Sequence, residues 1–129
     1  MENVKTDYLI QNPNSPSSFS VILSFQKERT IFGQHSQREH NFFYESVSAR
    51  LIYLTSLGLE WKNAYQKTLE FVKKTAVPLA FNPGTPQFNC GVDSIKNILS
   101  VTDILFVNKE EGEILASSKE KEIKNLMLK

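Results

Sequence analysis

After residue 50 the sequence alternates between short apolar runs and segments in which apolar residues recur with helical spacing. Three runs have the length of β-strands, at residues 50–55, 79–81 and 104–107. Between them, residues 61–76 and 92–101 carry apolar side chains three and four positions apart, as on one face of an α-helix, and a charged helix is expected after residue 108. Strands alternating with helices favour a parallel sheet with crossover connections, so the predicted class is α/β.

The apolar runs also predict burial. Residues 50–55 are almost continuously apolar, which is typical of a strand buried on both faces, and residues 104–107 are expected to form another buried strand. The inward positions of the second helix are expected to be Val92, Ile95, Ile98 and Leu99.

The first 49 residues have a different pattern of apolar residues. Phe19, Val21, Leu23 and Phe25 alternate with small or less apolar neighbours and predict a strand with one apolar face. The turn that follows can return the chain as a second strand at residues 29–32. We therefore expect a small antiparallel β element at residues 1–49 and a partial βαβαβα layer at residues 50–129, within one incomplete domain overall.

Composition limits the class of protein. With 129 residues and a net charge of +1, the chain lacks the basic surface that generic binding to nucleic acid or anionic membranes requires. No apolar run is long enough to cross a bilayer. The single cysteine, Cys90, excludes an intramolecular disulfide and fits a reducing, cytoplasmic environment.

Polar residues follow each predicted strand of the α/β layer. In an open parallel sheet, the loops at the carboxyl ends of the strands line one crevice, where ligands bind. Here these loops are residues 56–58, 82–87 and 108–111. The motifs G-x-x-x-x-G-K-[ST], G-x-G-x-x-G and G-x-S-x-G are absent from the sequence, so three common nucleotide and nucleophile signatures are excluded.

Asn108 and Glu111 have two interpretations. At the start of a helix, Asn-x-x-Glu is a capping box, in which the two side chains bond to each other's backbone amides. Alternatively, Glu111 orders a hydrated magnesium ion and Asn108 faces a phosphate at the helix N-terminus. The two interpretations are compatible. Asn82, followed by Pro83 and Gly84, is either a turn residue or a ligand-facing residue on the same edge.

Two segments resemble the PfkB, or ribokinase-like, carbohydrate kinases. The first is L-A-F-N-P-G at residues 79–84, and the second is T-D-I-L-F-V-N-K-E-E-G-E-I-L at residues 102–115. Members of that family carry an N-P turn, a helix and a D-I-L-x-x-N-x-x-E junction. Upstream, F-S-V-I-L-S-F at residues 19–25 and E-R-T-I at residues 28–31 are similar to the family's lid strands, and residues 53–58 to the strand that follows them.

The resemblance implies a ribokinase-like fold and transfer of a phosphoryl group from ATP, with Mg²⁺, to a hydroxyl group of a sugar or nucleoside. It places Asn108 and Asn82 beside the ATP phosphates and Glu111 near Mg²⁺, which it positions through water. The lid strands would cover the acceptor, and Arg29 would lie near it, although a solvated arginine at a strand edge is an alternative.

The sequence lacks two parts of the family pattern, the glycine-rich N-terminal substrate region and the G-A-G-D motif that supplies the catalytic base and the anion hole. We therefore expect a truncated kinase fragment with no catalytic residue and no activity of its own. Alternatives are a non-catalytic remnant that binds nucleotide or oligomerises, and a generic α/β domain in which Asn-x-x-Glu is only a cap. The exposed edges of the lid strands predict a homodimer.

Overall fold

The computed structural model describes residues 6, 9–14, 16–34, 36, 38, 40, 42, 44 and 47–117; residues 118–129 of the predicted α/β layer lie outside them. The chain divides into two compact units, Met1–Arg38 and Glu39–Lys129. The first contains a two-stranded antiparallel sheet, and the second contains a three-stranded parallel sheet with helices. The α/β class with a small antiparallel element is therefore confirmed.

The aromatic residues just before residue 47 belong to the second unit. Phe42 packs against its hydrophobic core, and the ring of Tyr44 stacks on that of Phe71 with centroids 4.6 Å apart. The hydroxyl groups of Tyr44 and Thr68 form a hydrogen bond of 2.8 Å. These contacts explain why the compact unit begins at Glu39, before the sequence pattern changes near residue 50. The division into a β element at residues 1–49 and a partial α/β layer at residues 50–129, within one incomplete domain, stays a prediction.

The antiparallel sheet is a hairpin of β1 (Phe19–Phe25) and β2 (Glu28–Gln34), as the alternating pattern predicts. Gln26 and Lys27 form its two-residue turn with φ values of 47° and 71°. Positive φ at both positions is typical of the tight turn whose twist matches that of the strands. All residues of both strands are exposed, including the apolar ones.

The parallel sheet has the strand order β3 (Ile52–Thr55), β4 (Leu79–Asn82), β5 (Ile104–Leu105). In the register of the central strand, Leu79 lies opposite Ile52 and Ala80 lies opposite Ile104. The helices are α1 (Lys62–Thr75), α2 (Thr85–Asn89), α3 (Lys96–Leu99), which continues from a 3₁₀ turn at Val92–Ile95, and α4 (Lys109–Ser117). Within the described part of the chain, no helix has the length and apolarity needed to cross a membrane.

The core lies on one face of the parallel sheet. Alternate strand residues pack there against α1, α3 and α4; they are Ile52, Leu54, Leu79, Phe81 and Leu105. The predicted inward residues of the second helix are confirmed, since Ile95, Ile98 and Leu99 are buried and Val92 packs against the same core.

Two burial predictions are wrong. The strand at residues 50–55 is not buried on both faces, because Tyr53 is 59% exposed on the opposite face. The strand predicted at residues 104–107 has only two residues, and Ile104 is 46% exposed. Both strands are edge strands of a three-stranded sheet, and that opposite face of the sheet leaves large apolar side chains in contact with solvent.

Candidate functional site

The carboxyl ends of the three parallel strands lie at one edge of the sheet. Because β3, β4 and β5 run in the same direction, the loops that follow Thr55, Asn82 and Leu105 meet there. This edge contains the sequence-predicted residues Asn82 and Asn108, with Glu111 one helical turn further along the chain.

A buried glutamine joins the loops that follow β3 and β4. The side-chain oxygen of Gln87 accepts hydrogen bonds of 3.0 Å from the Ser56 hydroxyl and of 3.0 Å from the Gly84 amide. Its side-chain nitrogen donates a 2.8 Å hydrogen bond to the carbonyl oxygen of Leu57. Gln87 has no exposed surface, so these bonds form away from competing water. The amide therefore fixes the position of one loop relative to the other.

Gly84 makes the close approach of these loops possible. A Cβ atom at this position would overlap the Ser56 hydroxyl and lie 2.6 Å from the Ser56 Cβ atom. The Gly84 backbone is extended, with φ of −128°, so space and not backbone conformation requires glycine here. The Asn-Pro-Gly turn that the sequence predicts thus has a packing role as well.

Asn82 connects the loop after β4 with the loop after β5. Its side-chain nitrogen donates a 2.6 Å hydrogen bond to the carbonyl oxygen of Phe106. Phe106 lies two residues before Asn108, so the bond helps to hold the segment that leads into α4. Within the described part of the chain, the side-chain oxygen of Asn82 accepts no hydrogen bond and can receive one from a ligand.

Asn108 and Glu111 form a capping box at the start of α4. The Asn108 side-chain oxygen accepts a 2.8 Å hydrogen bond from the Glu111 amide, and Glu111 Oε2 accepts a 3.0 Å bond from the Asn108 amide. The structural interpretation of this spacing is therefore confirmed. The pair also leaves Glu111 Oε1 outside the cap, so the cap and a role in ligand binding remain compatible.

The Glu111 carboxylate at this edge suits Mg²⁺ that is bound largely through water. Among the described residues, no group of three His, Cys, Asp or Glu side chains could hold a metal ion directly. Mg²⁺ keeps several of its water ligands and commonly uses one or two carboxylates together with phosphate oxygens. The single carboxylate of Glu111, with one oxygen outside the cap, fits that form of binding.

A neutral tyrosine links α1 to the end of β3. The Tyr65 hydroxyl donates a 3.2 Å hydrogen bond to the carbonyl oxygen of Thr55, the last residue of that strand. Burial raises the pKa of Tyr65 well above its ordinary value, which keeps the phenol protonated as a donor. The bond anchors the strand end next to Ser56.

Arg29 lies in β2 of the other compact unit. It is exposed and occupies the position opposite Ser24 in the hairpin register. Its assignment to an acceptor site stays a prediction.

Gln87 and Ser56 are the residues of this edge that the sequence reasoning did not single out. One available signal was the position of Gln87 three residues after Gly84, where glutamine completes a capping arrangement at the start of a helix. Ser56 carries no such signal, because its partner is 31 residues away in the chain.

Comparison with known proteins identifies one family. The model of the pfkB family carbohydrate kinases matches residues 1–128. Neither the curated proteins nor the solved structures contain a match to the chain.

Proposed function

The chain belongs to the pfkB family of carbohydrate kinases, and from this membership we propose that it contributes to phosphoryl transfer from ATP, with Mg²⁺, to a hydroxyl group of a sugar or nucleoside. The observation that carries the proposal is the Asn108–Glu111 pair at the N-terminus of α4, beside the carboxyl edge of the parallel sheet. Free backbone amides at a helix N-terminus attract phosphate groups.

In this proposal Asn108 and Asn82 lie beside the ATP phosphates. Asn82 is the last residue of β4 and Asn108 lies three residues after β5, the neighbouring strand, and the bond from Asn82 to Phe106 ties the two segments together. The side-chain oxygen of Asn82, which accepts no hydrogen bond from the described residues, supports a polar contact at this edge.

Glu111 would hold Mg²⁺ through water. Its Oε2 atom is fixed by the Asn108 amide, which orients the carboxylate and leaves Oε1 for a metal-bound water. When bound, Mg²⁺ would offset the negative charge of the phosphate oxygens.

We further propose that this chain alone does not turn over substrate. Phosphoryl transfer needs a positioned base and groups that stabilise the transferring phosphoryl, and the sequence has no G-A-G-D segment to supply them. A coupled assay of ADP release with a panel of sugars and nucleosides is expected to give no rate above background. Robust turnover would contradict this part of the proposal.

A substitution that removes only the charge separates the ligand role of Glu111 from its capping role. Glu111→Gln keeps a side chain that can complete a capping box but removes the carboxylate charge. We expect calorimetry to show Mg-ATP binding weakened about tenfold, with the free energy of unfolding changed by less than about 0.5 kcal/mol.

The matched control is Glu110→Gln, which removes the same charge from the neighbouring exposed position in the first turn of α4. It is expected to change Mg-ATP affinity by less than about twofold. Equal losses in both variants, or no Mg-ATP binding to the unmodified chain, would argue against the proposed site.

The hairpin supports a second candidate function, self-association by a non-catalytic remnant. Its apolar side chains are more than half exposed along one face; they are Phe19, Val21, Leu23, Phe25 and Phe32. Such a patch, on strands with unpaired outer edges, favours association with another chain. We propose that two copies of the chain pair through this face.

A further inference from the structure

A cleft of about 310 Å³ separates the N-terminal half of α1 from the segment that forms α3. We propose that this cleft binds a small organic anion that contains one flat apolar ring. The cleft contains none of Asn82, Asn108 and Glu111, on which the kinase proposal rests, so this inference is independent of that proposal.

The floor of the cleft is apolar and partly aromatic. It is formed by Trp61, Tyr65, Leu69 and Ile98, all of which are buried in the core. The two aromatic rings are tilted by 59° with centroids 4.7 Å apart. A flat ring can add to such a pair through offset or edge contacts.

Trp61 supplies a hydrogen-bond donor. It is only 4% exposed, yet its indole N–H bonds to no group among the described residues. No fully buried polar side-chain atom of those residues lacks a partner, so the indole nitrogen reaches solvent. Buried tryptophans usually donate this hydrogen bond, and a ligand in the cleft can accept it. The Tyr65 hydroxyl cannot substitute, because it already donates to Thr55.

The rim favours a negative charge. Lys62 lines the cleft and forms no ion pair with the described residues, and the Asn97 side-chain amide is also free of hydrogen bonds there. The other polar side chains of the rim, Gln66 and Ser94, already donate to Glu70 and Gly91. The available groups are thus an ammonium, an amide and an indole N–H, which together suit a carboxylate or similar acceptor.

The size of the cleft selects a small ligand. Its volume lies at the lower end of the range of about 300–1,000 Å³ that is usual for ligand cavities. One ring with a short acidic side arm fits this space better than a nucleotide does.

The fluorescence of Trp61 can report ligand binding, because Trp61 is the chain's one tryptophan. Phenylacetate is added to the full chain while tryptophan fluorescence is recorded. We expect a saturable change, whereas benzyl alcohol, which has the ring without the charge, and acetate, which has the charge without the ring, bind at least about tenfold more weakly.

Two variants at exposed positions test the contribution of the rim to binding. Lys62→Gln is expected to weaken phenylacetate binding about fivefold, and Asn97→Asp, which adds a negative charge, by more than about fivefold. The control Lys73→Gln removes a charge from the last turn of α1 and is expected to leave the affinity unchanged. A change that does not saturate, equal binding of benzyl alcohol, or an equal loss in Lys73→Gln would overturn the proposal.

Discussion

At the scale of single residues, Gly84 shows how little space separates the loops that follow β3 and β4. Its missing side chain lets the Ser56 hydroxyl reach the buried Gln87 amide, so a packing requirement and a hydrogen-bond network coincide at one position. Filling that space forces either the Ser56 side chain or the loop to move, because core packing leaves little free volume.

We predict that Gly84→Ala lowers the free energy of unfolding by about 2 kcal/mol, the usual cost of overpacking. Ser56→Gly removes both Ser56 atoms that the new Cβ would overlap, so the double variant should recover part of the loss. Urea unfolding measures all three proteins. The control is Gly58→Ala, where a Cβ has no neighbour within 4 Å. Additive losses in the double variant would contradict the steric explanation.

Tyr44 makes stability depend on alkaline pH. Burial raises the pKa of this phenol above its ordinary value of 10.0. The unfolded chain therefore releases the proton at lower pH than the folded chain does. The stabilisation linked to the neutral phenol is fully present below pH 10 and is lost as the pH rises through the folded-state pKa.

The corresponding variant is Tyr44→Phe. Near neutral pH it should be less stable than the wild type by about 1 kcal/mol, because the hydrogen bond to Thr68 is lost. This difference should shrink above about pH 10, because the phenol of the unfolded wild type then ionises, which stabilises the unfolded state of the wild type but not of the variant. Urea unfolding at several pH values measures it, with Tyr53→Phe, at an exposed ring, as the control. A difference that stays constant with pH would contradict the assignment.

Residue-level prediction from sequence succeeded where partners are close in the chain. The bonds between Asn108 and Glu111 span three residues, so their spacing alone predicts the cap. Gln87 bonds to Ser56 and Leu57 about 30 residues away, and this pairing depends on the register of β3 and β4. A single sequence contains no local signal for such a contact.

At the scale of elements, α1 ends in a strained residue. The last helical residue is Thr75, and Ala76 caps the helix in the left-handed region with φ of 55°, where its amide bonds to the Val72 carbonyl at 2.8 Å. Glycine is the usual residue at a left-handed helix end, since a Cβ atom is unfavourable in that conformation.

Ala76→Gly is therefore expected to raise the free energy of unfolding by about 0.5–1 kcal/mol. Ala116→Gly, at an exposed position within α4, is the control with the opposite sign and should lower it by up to about 1 kcal/mol. Thermal and urea unfolding give both values. If Ala76→Gly lowered the free energy of unfolding instead, the backbone restriction that alanine provides would outweigh the strain of its left-handed conformation.

The sequence predicts the order and type of most elements but not α2 or the burial of the edge strands. Asn-Pro-Gly and a further proline predict a loop where the structure has α2 (Thr85–Asn89). Pro86 is nevertheless acceptable in the first turn of a helix. The apolar runs around Tyr53 and Ile104 indicate burial, but burial depends on what packs on each face of the sheet. That information is not present in a local window of sequence.

At the scale of the whole molecule, both sheets carry large apolar side chains that are exposed. Both strands of the hairpin are exposed, and Tyr53 and Phe106 meet edge to face on the open side of the parallel sheet with ring centroids 6.0 Å apart. Parallel sheets are usually covered on both faces, so these surfaces favour contact with further protein.

Association through the hairpin predicts a concentration-dependent dimer in sedimentation experiments. Leu23→Lys places a charge in the apolar face and should weaken dimerisation at least about tenfold. Ser20→Lys places the same charge on the opposite face, across from Gly33, and should have little effect. A wild-type monomer at all concentrations, or equal effects of the two variants, would contradict pairing through this face.

The buried amide of Gln87 has a consequence for motion at the sheet edge. Since one side chain holds the Ser56 hydroxyl, the Leu57 carbonyl and the Gly84 amide, neither loop can separate without breaking bonds that also restrain the other. Separation of the two loops therefore requires the bonds from Gln87 to Ser56 and to Leu57 to break together, so opening at this edge is cooperative.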